Sequence, residues 1–281
     1  MPLRALILPF CLCALAAAAA AAETPLEAGY RQMYDLQFAD AHRTFADWQN
    51  THPDDPLGPA SDAAAYLFSE FDRLHILQSE FFVHDQHFYT DHKLLPDPAV
   101  KRKFDADIEA ARRLAARGPQ NPDCQFAAIL ANGLHSDYVA LIEARYAASF
   151  QEMKASRVIA ERLLAAHPEM YDAWIAIGIE NYMLSVKPLP LRWLLRLAGG
   201  ETDRAVGLEK LKLTAEKGHY LAPFARLLLA VAALREHNTW RARTLLEGLV
   251  RDYPHNWLYA QELARLQPGA AAAGGMGSAL W

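Results

Sequence analysis

Cysteine is nearly absent from this chain: of three residues, Cys11 and Cys13 fall within the first 22 positions and only Cys124 lies beyond them. A single remaining thiol cannot close an internal disulfide, so stability has to come from a packed core. Positive charge is not in excess either. The formal net charge is -5, with acids and bases interspersed, which excludes the electrostatic footprint of a nucleic-acid binder. Runs of β-branched residues are scarce, which argues against sheet. Four motifs of catalysis and cofactor binding are missing: H-E-x-x-H, the phosphate-cradling G-x-x-x-x-G-K-[ST], G-x-G-x-x-G and a nucleophile elbow. No positive reason for an enzyme or a cofactor remains.

What the chain does have is alanine, leucine, arginine and glutamate, with apolar residues recurring at intervals of three and four. That periodicity predicts an all-α protein. A 281-residue chain with 52% hydrophobic residues can fill one large domain or an elongated repeat array. The first 22 residues read as an export signal: Arg4 is the positive end, Ala5 to Leu15 the apolar centre, and the alanine run to Ala22 offers cleavage sites before Glu23. Cys11 follows Phe10 and Cys13 follows Leu12, which disfavours lipid attachment, since that requires a small residue before the cysteine. The mature protein is expected to start near Glu23, one charge unit more negative, and to be periplasmic or secreted.

Repeats organise the rest. In FADAHRTFADWQNTHPDDP, Ala41 is followed four residues on by Phe45 and then by Pro53, the second-helix signature of a tetratricopeptide repeat. The small residue lets paired helices approach, the aromatic fills the gap between units, and proline ends the helix. The same spacing recurs with Ala110, Leu114 and Pro122, with Ser156, Ala160 and Pro168, and with Ala242, Leu246 and Pro254. A weaker example has Gly207, Leu211 and His219, where the proline stop is missing. Trp174 and Gly178, four apart, suit a first helix. Pro53 and Pro122 stand about two repeat lengths apart; the longer intervals after Pro122 and Pro168 predict an extended helix near Phe126 to Phe150 and an insertion at 187–201. About five to six helix pairs are expected over 23–266, with a terminal helix in WLYAQELARL and a disordered Ala/Gly tail at 267–281.

Residues 171–257, from YDAWIAIGIENYMLSVKPLPLRWLLRLAGGETDRAVGLEKL through AEKGHYLAPFARLLLAVAALRE to LVRDYPHN, resemble a group of exported bacterial tetratricopeptide repeat proteins. The amino-terminal MYDLQFADAHRTFADWQNTHPDDPLG fits the same group, and the insert with its Gly-Gly turn is more remotely similar to the eukaryotic inclusion-body-clearance repeat family. The resemblance implies an α-solenoid scaffold that binds protein or peptide without turnover, and it brings no catalytic residues. Asn181 stands where that pattern has tyrosine.

Several clusters carry candidate chemistry. On the repeat register Asn132, Ser136 and Asp137 fall near the concave face, where such arrays hold ligands, while Tyr138 and Arg145 suit either a ligand or a stitch to a neighbouring helix through a carboxylate such as Glu143. Asp172, Asn181 and Tyr182 on the fourth clear repeat, with Arg226 on the next, could contact a peptide backbone and its charges. His84, His87 and His92, interleaved with Asp85 and Asp91, raise the alternative of a metal-dependent hydrolase, since imidazole and carboxylate ligate zinc. On one helix His92 would lie on roughly the opposite side from His84 and His87, so the three converge only if the chain bends after Phe88. In the insert KPLPLRWLLRLAGG, Arg192 and Arg196 lie one turn apart among leucines and Trp193. The segment is too short to cross a bilayer. The expectation is a short helix folded over the repeats, burying Trp193 and exposing both arginines as a possible docking surface; the alternative is a peripheral helix on a membrane surface.

Overall fold

The computed structural model describes residues 23–76 and 94–266. The leader 1–22, the cluster of His84, His87 and His92, and the tail 267–281 lie outside them. Among the described residues there are twelve α-helices and no strand.

Successive helices pack in pairs. The first pair is α1 (Pro25–Tyr34) with α2 (Phe38–Thr51), and the second is α3 (Leu57–Arg73) with α4 (Pro98–Ala115). The third joins α5 (Pro122–Leu141) to α6 (Tyr146–Ala166). In the fourth, α7 (Trp174–Ser185) packs on α9 (Arg204–Lys217), with α8 (Leu189–Leu197) inserted between them in sequence. The fifth is α10 (Ala222–Arg235) with α11 (Thr239–Asp252), and α12 (Trp257–Arg265) covers its outer side. Each pair packs on the next in chain order.

The helices start where side chains can satisfy their first N–H groups. Thr24 and Glu27 form a reciprocal capping box at α1. Asp97 and Asn121 cap α4 and α5, each followed by a proline in the first helical position. Pro122 therefore opens a helix rather than closing one.

The small-then-large spacing falls on buried positions in four of its five occurrences: Ala41 and Phe45, Ser156 and Ala160, Gly207 and Leu211, Ala242 and Leu246 are all buried. The fifth is displaced by one. On α4 the buried pair is Ala111 and Ala115, while Ala110 and Leu114 are half-exposed, because Phe104 and Ile108 set the inward stripe at intervals of four and three.

The extended helix expected near Phe126 to Phe150 is also corrected. It breaks at 142–145, where Ala144 takes the left-handed conformation at φ 55° and Arg145 N–H reaches back to the Val139 carbonyl at 2.9 Å. The extra length is shared between two long helices. The absent proline near His219 is compensated by Asp172, whose carboxylate accepts the backbone N–H groups of His219, Tyr220 and Leu221 at 2.9, 3.2 and 2.8 Å.

The first pair does not project freely from the array. The Tyr30 ring centroid lies 5.0 Å from that of Tyr220, and the Tyr34 centroid 5.9 Å from that of Tyr253. Asn256 Nδ2 donates to the Tyr34 carbonyl at 2.7 Å. The array curls so far that its beginning packs on its last third, and the inner face becomes a narrow cleft.

Candidate functional site

The cleft is built by the inner sides of α1, α3, α5, α6, α7 and α10 and is narrow, open at its mouth and largely apolar, with a cavity volume of about 70 Å³. Tyr30, Met33 and Tyr34 enter from α1, Phe68 from α3, Ile129 and Leu134 from α5, Ile175 and Ile179 from α7, and Phe224 from α10. Such residues reach one place because every inner helix turns the same apolar stripe to the centre and the closure brings α1 against α10.

Two polar groups in this wall lack protein partners. The Tyr34 hydroxyl is buried with none. Asp137, half-buried at the wall, has no hydrogen-bond or ion-pair partner among the described residues, and burial pushes its carboxyl up to about 7. A carboxyl poised there can donate or accept a hydrogen bond near neutral pH, and its apolar surroundings strengthen either bond.

One turn before Asp137 on the same helix face stands Gly133. A glycine inside a helix costs roughly 0.5–1 kcal/mol relative to alanine, and packing does not require this one: nothing lies within 4 Å of the position a Cβ would take. The missing side chain leaves space in the cleft.

Of the residues singled out in the sequence, the cleft gathers Ser136 and Asp137. Ser136 is also engaged across the third pair, with its Oγ 2.9 Å from that of Ser149. Asn132 accepts from Arg112 Nε at 3.1 Å, in a cluster where Arg112 and His135 share the Glu152 carboxylate. Tyr138 is buried on the other side of α5, stacked on Phe104 at 4.9 Å with Lys101 over its ring. Arg145 pairs with Glu143 at 3.0 Å, and Arg226 with Asp252 at 2.7 Å. Tyr182 is buried. Asp172 holds the turn before α10, and Asn181 accepts the Asp203 N–H at 2.9 Å. These side chains are spent on architecture rather than converging on a ligand. Sequence reasoning missed Tyr34, Phe68, Gly133 and Phe224; the available signal was their place on first helices, but the fold-back of α1 was not visible.

The insert departs from its expected orientation at Trp193 and Arg192, which is half-buried, while Arg196 is exposed as expected. Trp193 is exposed, along with Leu189, Leu194 and Leu197. Arg192 Nη1 donates to the Ser185 carbonyl at 3.1 Å, and Arg196 Nε bonds the Thr202 hydroxyl. Both side chains reach acceptors at the end of α7 and in the following loop that an apolar face could not satisfy, and Arg196 stays exposed beside them.

Among the described residues no group of three His, Cys, Asp or Glu side chains is placed to hold a metal ion. No family model matches the chain, and comparison with curated proteins and with solved structures gives no match.

Proposed function

We propose that this protein is a non-enzymatic binding scaffold of the cell envelope, a tetratricopeptide-like α-solenoid that receives an apolar stretch of polypeptide in its inner cleft. The observation that carries the reading is Gly133, a helix-weakening residue that packing does not demand and that leaves room beside the unpartnered Asp137. The apolar wall takes hydrophobic side chains, and the carboxyl of Asp137 meets one carbonyl or N–H of the bound backbone. Aromatic and methionine side chains around such a cleft accommodate varied residues without large entropic cost. The signal-like leader supports an exported location, where a partner would be another envelope or secreted protein.

The test uses peptides selected from a displayed random library against the purified protein. Selected sequences should share apolar anchors, and Gly133→Phe, which fills the space without meeting a neighbour at Cβ, should weaken them at least about tenfold while the melting temperature is kept; tenfold corresponds to about 1.4 kcal/mol. Equal affinity for the Gly133→Phe variant, or selected peptides without apolar anchors, would rule the cleft out.

A further inference from the structure

Half of the large apolar side chains that are exposed among the described residues lie on one short helix: Leu189, Leu191, Trp193, Leu194 and Leu197 are all on α8, while Leu95, Tyr146, Val158, Trp240 and Trp257 stand singly on other segments. Trp240 is 76% exposed, Leu189 71%, Leu197 67% and Trp193 63%. On α8, Leu189, Trp193 and Leu197 stand four residues apart and form a single stripe, flanked by Leu194. No residue of this helix is buried.

The orientation of that stripe is fixed. α8 ends in a Schellman turn, with Gly200 N–H bonded to the Leu195 carbonyl and Gly199 N–H to the Arg196 carbonyl, both at 2.9 Å. Lys154 Nζ holds the Ala198 carbonyl at 2.8 Å, and Arg157 Nη2 the Gly199 carbonyl at 3.1 Å. Arg157 is itself fixed by Glu180, whose side chain is fully buried and whose other oxygen accepts the Glu201 N–H at 3.0 Å. A buried ion pair that clamps a turn from both sides leaves the helix little freedom to roll its apolar face inward.

The electrostatics of this place also differ from the rest of the chain. Residues 186–200 contain Lys187, Arg192 and Arg196 and no acid, in a protein of net charge -5. Arg192, Arg196 and Lys154 bond carbonyl and hydroxyl groups, and among the described residues no carboxylate is in ion-pair range of them or of Lys187. Their charge is available to an anionic neighbour.

We propose that α8 docks on an anionic lipid surface, with Leu189, Trp193, Leu194 and Leu197 among the acyl chains and Lys187 and Arg196 at the headgroups. A nine-residue helix is about 14 Å long, so it lies on the surface, and no described helix is long and apolar enough to cross a membrane. Tryptophan, leucine and cationic residues together suit the interface between headgroups and acyl chains. A lipid surface fits better than a protein groove. A nine-residue helix that sets an apolar stripe beside Lys187 and Arg196 matches the layered chemistry of acyl chains and anionic headgroups, whereas a stable protein interface calls for about 800 Å² per partner.

The experiment is flotation of the purified full chain with vesicles of phosphatidylcholine, with and without phosphatidylglycerol. The protein should partition into the anionic vesicles and more weakly into the neutral ones, with added salt removing the difference. Trp193→Asp and, separately, Leu189→Asp should lower the partition roughly tenfold or more with the circular dichroism and melting temperature unchanged, since both side chains are exposed. Arg196→Gln should lower only the anionic preference. The emission lost on changing Trp193 to Phe should be blue-shifted on anionic vesicles. Failure to float with anionic vesicles, or equal partition of Leu189→Asp and the parent, overturns the proposal. So does a concentration-dependent dimer that Trp193→Asp dissolves, which would assign the face to a second copy.

Discussion

Asp35, in the first interhelical turn, accepts two hydrogen bonds from His255, which lies 220 positions later: one from the backbone N–H at 2.8 Å and one from ring Nδ1 at 2.6 Å. Asp35 is buried, and with the Asn256 to Tyr34 bond beside it this contact ties the first turn of the array to the last. The inner cleft exists because these ends meet.

Removing that tie should open the array locally. Asp35→Ala leaves the His255 N–H without its acceptor, at a cost of about 1–3 kcal/mol. Hydrogen exchange should show α1 and the segment around Tyr253 to Tyr259 losing protection together, while α5 and α6 keep theirs.

Asp137 should make stability fall with rising pH. Its carboxyl value is raised from 3.8 to about 7 by burial. Between those two values the folded chain retains a proton that the unfolded chain has released, so stability declines as pH rises through that window. Because the side chain is only partly buried, the effect should be about 1–2 kcal/mol rather than that of a fully enclosed charge. Asp137→Asn should match the parent near pH 4 and exceed it at pH 7.5, as read by urea denaturation.

The Arg157–Glu180 pair should be costly to break from one side. Glu180→Gln keeps an acceptor for the Glu201 N–H but leaves the guanidinium only the half-exposed Glu161, at 2.6 Å, as counter-charge, with a loss of about 1–3 kcal/mol. The same variant should loosen the Gly199–Gly200 turn, seen as faster exchange of the amides of α8.

Gly199 has φ 84°, and a Cβ there would stand 2.7 Å from Lys154 Nζ. Gly199→Ala should therefore cost about 1–2 kcal/mol in backbone strain, with an added loss of the Lys154 bond to Ala198. His237→Gly should act in the opposite sense. That histidine occupies the left-handed position after α10, at φ 55°, and glycine removes the strain for a gain of about 1 kcal/mol in stability, read as a higher midpoint of urea unfolding.

Much of the helical architecture is legible in residue spacing because each unit's packing is local. Ala41 with Phe45 and Ala242 with Leu246 announce inward faces from positions four apart, and a helix carries that spacing to one side whatever its neighbours do. The displaced register at Ala111 and Ala115 shows the limit: in an alanine-rich helix several small-residue pairs fit the same template, and Phe104 and Ile108 decide between them. The site was far less legible. Asp137 was visible from its place on the repeat, but Asp172 and Asn181, of the same chemical kind, were absorbed by loops whose backbone needed acceptors.

The sequence by itself determined that the chain is helical, that it is built from small-residue helix contacts, and that a single cysteine, Cys124, lies beyond its first 22 residues, because these follow from composition and from periodicity along the chain. Only the tertiary structure decided that α1 returns to the last third of the molecule, that Gly133 and Asp137 share one cleft, and that Trp193 faces outward while Arg192 turns back to the Ser185 carbonyl. Each of these depends on which distant backbone groups need partners and on the accumulated curvature of successive helix pairs. Neither quantity is carried by any one stretch of residues.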